Sequence, residues 1–269
     1  MIDNSPSSGR SFAVITGASY GIGFELAKQF TEHAFDVLVS AEDDGIEAAA
    51  KRLGAAGTSV QSIQVDLVDY DGVEKLYTKI QSCGRPVNAI AINASVGASG
   101  NFARDTELKA ELNLIALNVT SSVHLARRVV HDMVDRKQGR ILFTSSVAGR
   151  MPASFEAVYG ASKALLFSFS EALRSELQDF GVTVTALMPG AAETNFFRRA
   201  GMENIKVGAS EKDDPADVAR DGFEALMAGK DKVIAGSYKN EFLGFETRVL
   251  PESAKAQIRR KMAEPRSAR

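Results

Sequence analysis

The stretch FAVITGASYGIG, residues 12–23, decides the fold. Its first part, Phe12, Ala13, Val14 and Ile15, is the continuous apolar run of a strand covered on both faces. Its second part places Gly17, Gly21 and Gly23 within seven positions, and Ile22, Leu26, Ala27 and Phe30 then follow at helical spacing. A strand, a glycine turn and a helix start in that order suit an anion, because the first turn of a helix presents unpaired N–H groups with partial positive charge. Gly17 can make the tight turn, Gly21 removes the side chain where a pyrophosphate approaches, and Gly23 lets the helix lie close to the sheet. The spacing G-x-x-x-G-x-G is one residue wider than the usual dinucleotide fingerprint. It lacks the lysine of a nucleoside triphosphate loop, which argues against a kinase or ATPase.

Short apolar runs recur at residues 12–16, 36–41, 60–67, 88–93, 139–145, 182–188 and 232–236, separated by helix-periodic or alanine-rich stretches. That alternation is the βαβ signature. It predicts an α/β fold, a doubly wound, mainly parallel seven-stranded sheet of Rossmann type in a single domain. Val73, Leu76, Tyr77 and Ile80 mark one crossover helix, and longer helices are expected through Leu108–Val134 and Tyr159–Phe180. Asp214 before Pro215 reads as a helix cap. Residues 1–10 are expected to form a flexible tail, 11–269 the domain, and 241–269 its variable C-terminal end.

Composition narrows the function classes. The 269 residues are 45% hydrophobic and 25% charged, as in an ordinary globular protein. Thirty-two basic against 34 acidic residues leave a net charge of -2 and no basic stripe, so nucleic acid is not an expected partner. MIDNSPSSGR lacks the apolar core of a signal peptide, and no run approaches the roughly 18 apolar residues of a spanning helix. No membrane partner is expected, and the cytoplasm is the expected location. Cys83 is alone and reads as a semi-buried hydrophobe. His33, His124 and His131 fit no metal or triad spacing, so no metal site is expected, and the absence of a G-x-S-x-G elbow disfavours a serine hydrolase.

Further motifs follow in order: VDL with Asp66 and Leu67, INAS with Asn93 and Ala94, LNVTS with Asn118, TSSVAG, YGASK with Tyr159 and Lys163, and PGAAET with Pro189, Gly190 and Thr194. Together with TGASYGIG they resemble the short-chain dehydrogenase/reductase family from about residue 12 to about 195. The resemblance implies an NAD(P)-dependent oxidoreductase acting on an alcohol or carbonyl compound. It implies that Gly17, Ser19, Tyr20, Gly21, Ile22, Gly23, Ala41, Glu42, Asp66, Leu67, Asn93, Ala94, Tyr159, Lys163, Pro189, Gly190 and Thr194 contact the cofactor. In that family the active serine lies thirteen residues before the tyrosine, which selects Ser146 over Ser145. Asn118 would complete a catalytic tetrad, its backbone carbonyl holding a water that connects Lys163 to solvent.

The tyrosine and lysine make chemical sense by themselves. They are four residues apart and share one face of a helix. A phenol of pKa about 10 is a poor base at neutral pH. An ammonium about 4 Å away, at an effective dielectric near 20, favours the phenolate by about 4 kcal/mol, about three pK units at the upper end. Ser146, at the C-terminal end of its strand, falls on the edge where open α/β sheets bind ligands.

Ala41 stands where NAD-dependent relatives often carry Asp, and Glu42 where NADP-dependent ones often carry Arg. With Glu42 and Asp43 repelling a 2′-phosphate, NAD is expected over NADP. Ser95 and Ser121 depart from the glycines of the family pattern. Met151, Phe155, Phe196, Phe197 and Met202 suggest an apolar wall for a medium-sized substrate, and residues 191–210 a mobile lid. The resemblance also implies a homotetramer or homodimer through the two long helices. The alternatives are a non-catalytic NAD(P)-binding regulator of the same fold and an NAD-using dehydratase or epimerase.

Overall fold

The computed structural model describes residues 9–54, 57–192 and 212–236. The seven apolar runs form seven strands: β1 (Phe12–Thr16), β2 (Asp36–Ala41), β3 (Val60–Gln64), β4 (Ala89–Ile92), β5 (Gly139–Thr144), β6 (Val182–Pro189) and β7 (Lys232–Ala235). They pair in the order β3-β2-β1-β4-β5-β6-β7. Every pairing is parallel, so the sheet is wholly rather than mainly so. The connecting helices are α1 (Gly21–Glu32), α2 (Gly45–Leu53), α3 (Tyr70–Ser82), α4 (Leu108–Ile115), α5 (Ser121–Asp135), α6 (Ala157–Leu177) and α7 (Pro215–Met227).

Side chains alternate between the two faces of each strand, which divides the core in two. Ala13 and Ile15 of β1, Val37 and Val39 of β2 and Leu142 of β5 pack with α1, α2 and α7. Phe12 and Val14 of β1, Ile90 and Ile92 of β4, and Ile141 and Phe143 of β5 pack with α3, α5 and α6. The continuous apolar reading of β1 is thereby explained, since it is covered by helices on both sides. Phe30 of α1 meets Phe35 and Phe223 edge-on, with ring centroids 5.1 Å apart in each case. Asp214 caps α7 as expected, its Oδ1 accepting from Ala216 N at 2.8 Å ahead of Pro215.

The expected helix through Leu108–Val134 is broken. A π-helical turn, Ala116–Thr120, separates α4 from α5. Ser121 Oγ donates back to Leu117 O and Ser122 Oγ to Asn118 O, and such bonds to the preceding turn bend helices. The expected helix through Tyr159–Phe180 begins earlier, at Ala157, and ends in a 3-10 turn, Gln178–Phe180. Gly181 follows in the left-handed conformation, with φ +67°.

The chain runs outward from β1 to β3 and returns to place β4 beside β1. The loops after β1 and β4 therefore open a crevice at the C-terminal ends of the strands, the usual ligand position in open α/β sheets. Among the described residues, no helix is long and apolar enough to cross a membrane, and no group of three or more His, Cys, Asp or Glu residues is arranged to hold a metal ion. Residues 1–8, residues 193–210 of the expected lid and the C-terminal end from 241 lie outside the described residues.

Candidate active site

The glycine turn departs from β1 with Gly17 at φ +67°, and Gly21 opens α1 at φ +59°, conformations glycine adopts without strain. A Cβ at Gly17 would come within 2.8 Å of Ala94 Cα, and one at Gly23 would collide with the Gly17 carbonyl oxygen. The loops after β1 and β4 are thus packed backbone against backbone. Thr16 Oγ1 accepts from Asn93 N and Ala94 N at 3.0 Å each. Asn93 Nδ2 donates to Thr16 O and Gly17 O at 3.1 and 3.3 Å, and Asn93 Oδ1 accepts from Thr144 Oγ1 at 3.0 Å. Both ends of the Asn93 side chain are engaged by protein, so it shapes the glycine turn.

No side chain caps α1, whose N-cap residue is Tyr20. Its first residues, Gly21, Ile22 and Gly23, line the crevice, where first-turn N–H groups lack intrahelical acceptors. A cradle free of side chains in front of such a helix end fits the pyrophosphate of NAD(P). At its edge Ser19 Oγ donates to Asp43 Oδ2 at 2.8 Å, and Asp43 Oδ1 accepts from Gly45 N at 3.0 Å.

The crevice continues past the cradle to Ser146, Tyr159 and Lys163, about 1200 Å³ with its open mouth included. Tyr159 and Lys163 lie on the first turns of α6. Lys163 Nζ donates to Thr144 O at 2.9 Å and sits 5.7 Å from the centre of the Tyr159 ring. Ser145 and Ser146 have separate tasks. Ser145 Oγ donates to Lys163 O at 2.8 Å, pinning α6 to the end of β5. Ser146 Oγ caps the next turn by accepting from Ala148 N at 3.1 Å, and its own proton goes to Pro189 O over 3.4 Å.

Gly17, Ser19, Tyr20, Gly21, Ile22, Gly23, Glu42, Asn93, Ala94, Pro189 and Gly190 also line this crevice. Ala41, Asp66, Leu67 and Asn118 do not. Ala41 and Leu67 are buried in the core. Asp66 holds its own turn, Oδ1 accepting from Val68 N at 2.9 Å, and borders a separate acidic cleft. Asn118 is buried in the π-helical turn, where Oδ1 accepts from Val96 N at 2.9 Å and Nδ2 donates to Val96 O and Ser162 Oγ at 3.0 and 3.1 Å. Its carbonyl accepts from Ser122 Oγ at 2.8 Å. Thr194, Phe196, Phe197 and Met202 lie outside the described residues. Met151 and Phe155 do not line the crevice; its apolar wall includes Val96, Leu117, Val147, Ala148, Ala191 and Ala192. The family's glycine position at Ser95 also lines it, and Ser121 is buried behind.

Sequence reasoning missed Thr144, whose carbonyl holds Lys163, and Glu156, a buried acid in the crevice wall. Glu156 carried one signal, its place three residues before Tyr159. The histidines keep away, as expected: His124 bonds Glu74 on the helical surface, His33 bonds Gln29 O, and His131 is exposed. Cys83 is half-buried, and burial raises its thiol pKa.

A family model described as short chain dehydrogenase matches residues 11–204. Oxidoreductase UcpA of Salmonella typhimurium is 30% identical over 215 residues, covering 80% of this chain and 79% of its own. Dehydrogenase/reductase SDR family member 7B of Mus musculus is 30% identical over 234 residues, covering 82% and 72%. Among solved structures, a short-chain dehydrogenase from Sphingobium yanoikuyae in complex with NADPH superposes with a TM-score of 0.79 at 26% identity, covering 96% of this chain and 98% of its own. The bulky-bulky ketone specific alcohol dehydrogenase from Comamonas testosteroni gives 0.77 at 25% identity, covering 97% of each chain.

Burial lowers the Lys163 ammonium from its ordinary 10.5 to about 7. Between those values the folded protein binds fewer protons than the unfolded chain, so stability rises with pH across that window. Below about pH 7 the full cost of burying the charge is present; above 10.5 it is gone. Lys163→Met should therefore melt at least about 2–4 °C above the parent at pH 6, even after losing about 1 kcal/mol at the Thr144 carbonyl. The gain should shrink as pH approaches 10. Calorimetric melts at both pH values check this, and an equal gain at each would show that burial does not penalise the ammonium.

Proposed function

Because the chain belongs to the short-chain dehydrogenase/reductase family, and so is an NAD(P)-dependent oxidoreductase, we propose that it interconverts a medium-sized, largely apolar alcohol and the corresponding ketone. The supporting observation is that Ser146, Tyr159 and Lys163 line the same crevice as the glycine cradle. When bound, NAD(P) supplies the donor or acceptor of hydride for the substrate carbon.

Tyr159 takes the hydroxyl proton during oxidation and returns one to the carbonyl oxygen during reduction. Lys163, fixed by the Thr144 carbonyl, stabilises the phenolate; the coupling is reciprocal, so an anionic Tyr159 holds Lys163 protonated despite its burial. Ser146 turns its hydroxyl from the long contact with Pro189 O to the substrate oxygen. Asn118 positions the site, joining Val96 in the wall to Ser162 on α6, and its carbonyl serves the proton exit from Lys163. The aliphatic wall favours a hydrophobic substrate, in keeping with the ketone-specific relative from Comamonas testosteroni.

The preferred coenzyme is NAD. Glu42 lines the crevice beyond β2, and Asp43 holds the Ser19 hydroxyl at the cradle's edge. Among the described residues Lys163 is the only cation lining the crevice, at its catalytic end. A 2′-phosphate near Glu42 would meet like charge, at about 1 kcal/mol or more per contact.

Subunits pair through α4, α5 and α6. Leu108, Leu112 and Ile115, four and three residues apart, present a stripe on α4 that is 71%, 54% and 40% exposed. Leu165 of α6 is also exposed. A homodimer or homotetramer buries that stripe.

Three outcomes are expected. Tyr159→Phe should lose about 100-fold or more in kcat while retaining coenzyme binding, followed at the NADH absorbance across a panel of alcohols and ketones. Parity with the parent removes Tyr159 from the chemistry. The Michaelis constant for NAD should lie about tenfold or more below that for NADP, as one to two kcal/mol of repulsion requires, whereas the reverse order sinks the coenzyme assignment. Light scattering should find the parent dimeric or tetrameric and Leu112→Glu shifted toward monomer; an unchanged assembly places the contact elsewhere.

A further inference from the structure

Glu156 is out of place in an apolar pocket. Only 2% exposed, it lines the crevice with Ser146 and Tyr159. It occupies the N-cap of α6, yet its side chain makes no capping bond to the helix. Three residues ahead of Tyr159, it lies on the same side of the helical turn.

The preceding backbone is built to put it there. Phe155 is held at φ +64°, a left-handed conformation that is a true outlier for an aromatic residue. Three bonds pin it: Gly100 N donates to Phe155 O at 2.8 Å, Glu156 N to Ala153 O at 3.0 Å and Gly160 N to Glu156 O at 2.8 Å. A Cβ on Gly160 would strike the Ala153 methyl, so the turn is packed directly onto α6. Strain of this kind persists where surrounding contacts over-determine it, and it gathers at ligand-binding sites.

A purely hydrocarbon substrate gains nothing from this acid and strips water from it without replacing the lost hydrogen bonds. We propose that Glu156 is a specificity residue: its carboxylate accepts a hydrogen bond from a donor, hydroxyl or ammonium, one or two carbons from the reacting carbon. The inference rests on the alcohol–ketone reading of the Tyr159 end. It narrows the substrate to an amphipathic one, a vicinal diol or hydroxyketone, or an amino alcohol or aminoketone.

The test compares 2-hexanol, 1,2-hexanediol and 1-amino-2-hexanol, which share the secondary carbinol and differ only in the neighbouring donor. In the parent, kcat/KM for the diol or the amino alcohol should exceed that for 2-hexanol by roughly 10- to 100-fold, the range of a hydrogen bond to a charged acceptor. The amino alcohol leading identifies an ammonium, the diol a hydroxyl. Glu156→Leu should erase the preference, and Glu156→Gln should keep part of it for the diol and lose it for the amine. Parity among the three in the parent, or an undiminished preference in Glu156→Leu, overturns the proposal. Calorimetric binding of the same three compounds to parent and variants separates the two readings. No turnover of any compound counts against the oxidoreductase reading, while Glu156-dependent binding of the donor-bearing compounds still upholds this one and equal binding of all three still overturns it.

Discussion

The amide of Asn93 joins three strand ends. One side donates to the carbonyls of Thr16 and Gly17 at the close of β1, and the other accepts from Thr144 at the close of β5. Thr144 turns its carbonyl to Lys163, and Ser145 beside it holds the Lys163 carbonyl. The glycine cradle and the Tyr159–Lys163 turn of α6 are thereby referred to one buried hydrogen-bond network. Each member is bonded inside protein, where an unmet polar group costs several times what a made bond contributes, so the network holds one geometry.

That rigidity surrounds a group at odds with its place. A buried ammonium with one backbone acceptor favours its neutral form, and the fold is less stable for it at neutral pH. The tension is the condition for coupling it to a phenol, because charge in a dry site acts over distance more strongly than in water. Glu156, delivered by a strained turn on the same helix, adds a second buried charge to the crevice. Stability is given up in the part of the molecule where chemistry is expected, while the two helical layers and the parallel sheet supply it elsewhere.

Much of this was legible in the chain. β1 and β5 read as apolar runs because helices cover both faces, and α1 read as a helix because Ile22, Leu26, Ala27 and Phe30 keep a 3.6-residue period. Tyr159 and Lys163 could be paired in advance because spacing of four on a helix is a local geometric fact. The break between α4 and α5 could not. It depends on serines bonding back into the preceding turn and on Asn118 reaching Val96, 22 residues away. The apolar wall was misplaced at Met151 and Phe155 for the same reason: a side chain's direction depends on a turn whose shape is set by Gly100 and Ala153.

Sequence alone determined the strand–glycine–helix cradle, the α/β alternation and the tyrosine–lysine turn, because each depends on residues within a few positions of one another. Tertiary structure alone decided that Asn93 shapes the cradle, that Asp66 and Asn118 stand outside the crevice, that Thr144 anchors the lysine and that an acid lies in the wall. Those outcomes follow from hydrogen bonds and burial between segments far apart in the chain, brought together only when the sheet order reverses between β1 and β4.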